Sequence, residues 1–223
     1  MEGIWWRKNE SISNAIARRR MMQMGAKKMN LANKITIARI GMIPFLVLAF
    51  QQYPSWMIEK VEFLKYINQY GVYAAIAIFV LASATDKLDG HIARKYNQIT
   101  NFGKLVDPLA DKLLVSAALI MMVQQNMLPS WIVVVIIGRE VMVSGIRILA
   151  AAKGVALAAD KYGKLKMVLQ VVAITAVLLG NFPFSYLTGF PIDQTLMMAA
   201  VLITAYSGYN YVKSNYRELQ LEF

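Results

Sequence analysis

The chain has no cysteine and only one histidine, His91. Disulfides, thiolate nucleophiles and thiolate metal sites are excluded, as is any centre that needs paired imidazoles. His91 itself reads as a polar loop residue. Charge is scarce as well: Asp, Glu, Lys and Arg make up 17% of 223 residues, against 57% hydrophobic ones. Acid is the scarcer sign, with 13 residues against 24 Lys and Arg and a formal net charge of +11. In a soluble domain that excess would point to nucleic acid. Here the mean hydropathy is +0.44 and the basic residues fall between apolar segments, which is the pattern of a polytopic membrane protein. The partner expected from the charge is the lipid bilayer, with no nucleic acid. Chemistry is left to carboxylates, cations and metal.

The few acids are concentrated. The stretch from Asp86 to Asp111 reads DKLDGHIARKYNQITNFGKLVDPLAD and holds four aspartates. Asp86 and Asp89 are three apart and Asp107 and Asp111 four apart, so each pair shares one helix face. If the first pair closes one helix and the second opens the next, all four face each other across a hairpin. Carboxylates that close repel, and one or two divalent cations are the usual remedy. All-oxygen ligation suits Mg²⁺, Mn²⁺ or Ca²⁺. Gly90 and Ala93 leave space for a ligand beside the acids. Arg94 offers a fork of donors for phosphate, and Gly103 lets two helices, or a helix and a ligand, approach closely.

Apolar segments flank this stretch. They run from about 33 to 50, 71 to 84, 105 to 123 and 131 to 152, then to a fifth ending near 180 and a sixth over about 195–212. The expected fold is all-α, a polytopic membrane protein with six transmembrane helices. Residues 29–223 form one transmembrane domain, and 1–28 form a basic extension, either an interfacial helix or a disordered tail. Residues 51–70 are expected as a connection. Basic residues cluster at 7–28, 87–104, 153–166 and 213–217, which puts both termini and the aspartates in the cytoplasm. In the first segment Asn33, Thr36 and Arg39 fall on one face, and an arginine inside an apolar helix needs an anionic partner or ligand. Pro44 is expected to kink that helix. In the fourth, Arg139 and Arg147 project on similar sides, and Glu140 pairs with one of them. The other buried cation is then available to an anionic ligand. Of Lys164 and Lys166, one is expected to face a site.

The order D-x-x-D-G-x-x-A-R-x₈-G-x₃-D-x₃-D, from Asp86 to Asp111, resembles at every fixed position the motif of the CDP-alcohol phosphotransferase family. The resemblance covers about residues 29–217. It implies six transmembrane helices around a cytoplasm-facing cavity, where an acceptor hydroxyl displaces CMP from a CDP-linked substrate. It also implies Mg²⁺ or Mn²⁺, as a dinuclear site, held by Asp86, Asp89 and Asp107. Asp111 would share in coordination and act as the base. Gly90, Ala93, Arg94 and Gly103 would shape the CDP pocket, with Asn33, Thr36 and Arg39 contributing, and the protein would be a homodimer. The segments TDKLDGHIAR, DPLADKLLV, GRE-x₆-R at 138–147 and GKLK at 163–166 are similar to bacterial inner-membrane members that use CDP-diacylglycerol and sn-glycerol 3-phosphate. In that case Arg139, Arg147 and Lys164 would surround the acceptor phosphate. Inositol phosphate, phosphatidylglycerol and serine stay open as acceptors. A metal-dependent lipid phosphatase fits the acids but needs no nucleotide. A transporter is disfavoured, because neither repeats nor broken midplane helices appear.

Overall fold

A computed structural model describes residues 31–95, 101–154, 161–182, 184 and 189–216. The extension 1–28 lies outside the described residues, as do the side chains of Asp86, Asp89, Gly90, Ala93, Arg94, Gly103 and Lys164. Seven helices are described: α1 Leu31–Phe50, α2 Ser55–Ile58, α3 Phe63–Lys95, α4 Asn101–Gln124, α5 Ser130–Ala152, α6 Lys161–Leu178 and α7 Ile192–Asn215. No strand occurs among the described residues.

Local chemistry sets the ends. Pro54, Pro129 and Pro191 immediately precede α2, α5 and α7, where a missing N–H costs the helix nothing. Asn126, Gly154 and Gly180 take positive φ of 55°, 70° and 61° just beyond α4, α5 and α6, the left-handed conformation that ends helices.

Two expectations about boundaries change. The connection expected over 51–70 is partly helical, because α3 starts at Phe63. The same helix runs past Asp86 and Asp89 to Lys95, so these acids lie within it rather than closing it. Lys87, Leu88, Ile92 and Ala93 sustain the helix, and Gly90 alone does not break it. At 33 residues α3 is about 50 Å long, well beyond the ~30 Å hydrocarbon thickness of a bilayer. Asp107 and Asp111 likewise lie inside α4, on either side of Pro108, a second in-helix proline besides Pro44. Pro108 has no N–H, so the carbonyl of residue 104 loses its helical donor just before the acids.

Register follows from contacts at the helix ends. At the α1 C-terminus, Gln125 Nε2 donates to the Phe50 carbonyl at 2.5 Å and Gln52 Nε2 donates to Gln125 Oε1 at 2.9 Å, so α1 and α4 run parallel. The chain then turns back through a two-way bridge. Tyr53 N–H donates to Asn68 Oδ1, and Asn68 Nδ2 donates to the Tyr53 carbonyl, both at 2.9 Å. Gly71 next meets the Ala49 carbonyl, whose oxygen occupies the place of a Cβ, so only glycine allows α3 this close to α1. The second half of the bundle packs α6 along α7 and α7 on α5, with α4 in contact with α5 and α6. Leu46, Phe79, Leu114, Met122, Ile136 and Ile174 fill one shared apolar core.

The outward faces are apolar too: Phe45, Tyr73, Val134 and Ile148 are each at least 66% exposed. Asn33–Phe50 and Phe63–Thr85 are long and apolar enough to cross a membrane by length and composition, and Leu165–Leu178 is a shorter apolar helix.

Candidate active site

The N-terminal half of α1 is polar on the side it buries. Asn33, Thr36 and Arg39 are all buried, Arg39 completely. Burying a guanidinium is costly without a carboxylate in good geometry. Here Arg39 NH1 donates to Asp111 Oδ1 at 2.9 Å. One turn away, Thr36 Oγ1 donates to Asp107 Oδ1 at 2.6 Å. Two positions three apart on α1 therefore meet two positions four apart on α4, which parallel neighbours allow. The structure thus brings together Thr36, Arg39, Asp107 and Asp111.

Where α3 brings the other two acids follows from its direction. Gly71 sits beside Ala49, and α3 runs back along α1. Asp86 is fifteen residues, or about 22 Å, beyond Gly71, which returns it to the level of residues 33–36 on α1. That is the level of Asp107. Backbone direction thus places both aspartate pairs at one end of the bundle.

A second polar cluster joins α4, α5, α6 and α7. Lys166 is buried and its Nζ forms an ion pair with Glu140 Oε1. Arg139 NH1 lies 3.4 Å from the same oxygen, and its NH2 donates to Ser207 Oγ at 2.7 Å. A Cβ at Gly208 would stand 2.9 Å from Arg139 Cγ, so the bare backbone there gives Arg139 its path along α7. Lys112 Nζ donates to Ser144 Oγ, which donates in turn to the Glu140 carbonyl. Lys112 follows Asp111 directly and so links this cluster to the acids. Its described side chains comprise three cations (Lys112, Arg139, Lys166) and one carboxylate.

Some expected residues move. Arg139 and Arg147 do both reach α7, at Ser207 and Tyr211, one turn apart. Arg147 is exposed rather than buried, however, with Nε donating to the Tyr211 hydroxyl at 3.2 Å and its guanidinium 5.4 Å from that ring. It sits near the end of α5, where a long side chain reaches outward. The lysine seen to enter the cluster is Lys166. Lys112, Ser144, Ser207 and Tyr211 were not singled out in the sequence. Lys112 had a signal, its place next to Asp111, but the others depend on which helix faces α5.

A family model for CDP-alcohol phosphatidyltransferases matches residues 29–206. The chain belongs to this family. The phosphatidyltransferase domain thus takes in α1 to α6 and most of α7, with both clusters inside it. The chain is also similar to proteins named CDP-diacylglycerol–glycerol-3-phosphate 3-phosphatidyltransferase. That of Bacillus subtilis is 44% identical over 191 residues, 86% of this chain and 97% of the relative. That of Rickettsia felis is 36% identical over 186 residues, covering 83% and 94%. That of Pseudomonas fluorescens is 33% identical over 202 residues, covering 87% and 94%. Divalent-metal dependence is general to CDP-alcohol phosphatidyltransferases.

The acid pair fits such a cation. Asp107 and Asp111 offer hard oxygen donors one turn apart, and a carboxylate that accepts one hydrogen bond keeps further lone pairs for a metal.

Proposed function

We propose that this protein transfers a phosphatidyl group from CDP-diacylglycerol to sn-glycerol 3-phosphate, releasing CMP and forming phosphatidylglycerol phosphate. The observation that carries the reading is the junction at Asp111–Lys112. A paired-aspartate site for a cation adjoins a cluster whose described side chains carry three cations and one carboxylate, suited to an anionic acceptor. The relatives' names supply the substrates.

Asp86, Asp89, Asp107 and Asp111 would hold Mg²⁺ or Mn²⁺, in a dinuclear site. When bound, the metal would hold the diphosphate and neutralise charge on the departing phosphate. Asp111 accepts the proton of the acceptor's hydroxyl as its oxygen forms the new P–O bond. The phosphoanhydride bond breaks and CMP leaves. Gly90, Ala93, Arg94 and Gly103, with Asn33, line the CDP side. Arg139, Arg147 and Lys164 are the acceptor residues expected from the motifs, and Lys166 and Lys112 join them on geometry. A dianionic phosphate offsets the excess cations where a neutral acceptor would not.

The same reading places six helices across a bacterial cytoplasmic membrane as a homodimer. Two of the helices are apolar enough by themselves, and the long helices alternate in direction, with apolar side chains outward. The distribution of basic residues along the sequence supports a cytoplasmic side for the site and both termini.

The test is CMP release by the purified chain with CDP-diacylglycerol and Mg²⁺ or Mn²⁺, offering glycerol 3-phosphate, inositol phosphate, serine and phosphatidylglycerol separately. Release with glycerol 3-phosphate, abolished by Asp111→Asn, is the expected result. Release with a different acceptor would overturn the acceptor assignment. No release with any acceptor, from folded protein, would overturn the donor assignment too.

A further inference from the structure

We infer that Thr36 and Arg39 are positioning residues for the metal-binding carboxylates: α1 fixes the planes of Asp107 and Asp111, and so sets the affinity of the acid cluster for its cation. The inference rests on the reading of that cluster as a divalent-cation site. It gives Thr36 and Arg39 a task different from the CDP contact expected of them.

Three observations carry it. Each aspartate receives its own donor through the same oxygen, Oδ1, at 2.6 Å from Thr36 and 2.9 Å from Arg39. Both donors are buried, Thr36 at 1% exposure and Arg39 at 0%, so neither is free to swing away. The register of α1 against α4 is pinned independently at the far end, where Gln125 Nε2 donates to the Phe50 carbonyl. That anchor lies fourteen residues, or about 21 Å, from Thr36. The tight seat of Gly71 on the Ala49 carbonyl holds the same end laterally. α1 is thus fixed at one end and presents two donors at the other.

A carboxylate turns about its own axis unless something holds it. A hydroxyl or guanidinium on one oxygen fixes the plane in which the other lies, and with it the direction of the lone pairs offered to a cation. Partners of this kind orient metal ligands, and their loss costs about 10- to 100-fold in metal affinity or activity. The two donors differ in kind. Thr36 brings no charge and orients only. Arg39 brings a planar fork whose hydrogen-bond direction lysine cannot reproduce.

The experiment measures Mn²⁺ binding to the full-length protein in detergent, without nucleotide, by electron paramagnetic resonance. Wild type is compared with Thr36→Val, Thr36→Ser and Arg39→Lys. All three substitutions conserve charge, so a change in affinity reports orientation rather than electrostatics. Thr36→Val should weaken Mn²⁺ binding about tenfold or more, and Thr36→Ser should restore it to within about threefold. Arg39→Lys should weaken it as well, and carries the test if Thr36→Val does not fold. At saturating Mn²⁺, CDP affinity should stay within about twofold of wild type in the variants. Wild-type Mn²⁺ affinity in the folded variants, or lost CDP affinity with Mn²⁺ binding intact, would overturn the positioning role. Failure of the wild type itself to bind Mn²⁺ would overturn the cation reading, and this inference with it.

Discussion

The polar clusters at the two sides of the Asp111–Lys112 step are built on opposite principles. On the α1–α4 side two buried donors each meet an aspartate: Thr36 meets Asp107 and Arg39 meets Asp111. Two carboxylates meet one guanidinium in these contacts. On the α5–α6–α7 side Glu140 is the one carboxylate among the described side chains: it pairs with Lys166 and Arg139, and its backbone carbonyl accepts from Ser144, which accepts from Lys112. A site short of positive charge attracts a cation, and one short of negative charge attracts an anion. Under the proposed function, setting them one residue apart would let the diphosphate and the acceptor phosphate be held side by side.

The comparison breaks first at Asp111. If the acid side runs the chemistry and the basic side only binds, Asp111→Asn should lower kcat by at least about 100-fold, with the KM for glycerol 3-phosphate little changed. Steady-state CMP release read against acceptor concentration separates the two terms. A rise in KM without a fall in kcat would mean that Asp111 belongs to the acceptor site instead.

Next in size is Glu140. Its carboxylate is the described counter-charge for the buried Lys166. Removing one partner of a buried pair costs about 3–5 kcal/mol, whereas removing both is often neutral. Glu140→Leu should lower the melting temperature in detergent, and Glu140→Leu with Lys166→Met should recover most of the loss. Glycerol 3-phosphate should raise the melting temperature of Glu140→Leu, because the ligand supplies the missing negative charge. Absence of that recovery would leave the cluster a structural network only.

How much of this was legible beforehand follows from where each signal sits. The aspartates, Arg39 and the six helical runs are local features, written in spacing and hydropathy along one segment. So was the outcome that a buried arginine needs an acid, though not which acid. α3 ends beyond the expected point, because the apolar run stops at Ala84 while helix propensity continues through Lys87 and Ile92 to Lys95. Hydropathy marks where a helix leaves lipid, and propensity marks where it ends. The basic cluster was the hardest. Glu140 falls between Arg139 and the residues that lead to Arg147, and only the packing of both α6 and α5 on α7 brings Lys166 to it. Nothing within one helix shows that Gly208 clears the way for Arg139.

The last two tests sharpen the basic side. Lys166→Met should raise the KM for glycerol 3-phosphate about tenfold or more, the scale of one lost hydrogen bond to a charged group, while kcat at saturation stays within a few-fold. Arg147 should matter least of the set. It is exposed, and it already has the Tyr211 hydroxyl and ring as partners. Water can take over from an exposed guanidinium, so Arg147→Ala should shift that KM by only about two- to threefold. An equal effect from Arg147 and Lys166 would place the acceptor phosphate nearer the end of α5. The anion site would then extend outward along α7, past Tyr211, rather than inward toward Lys112.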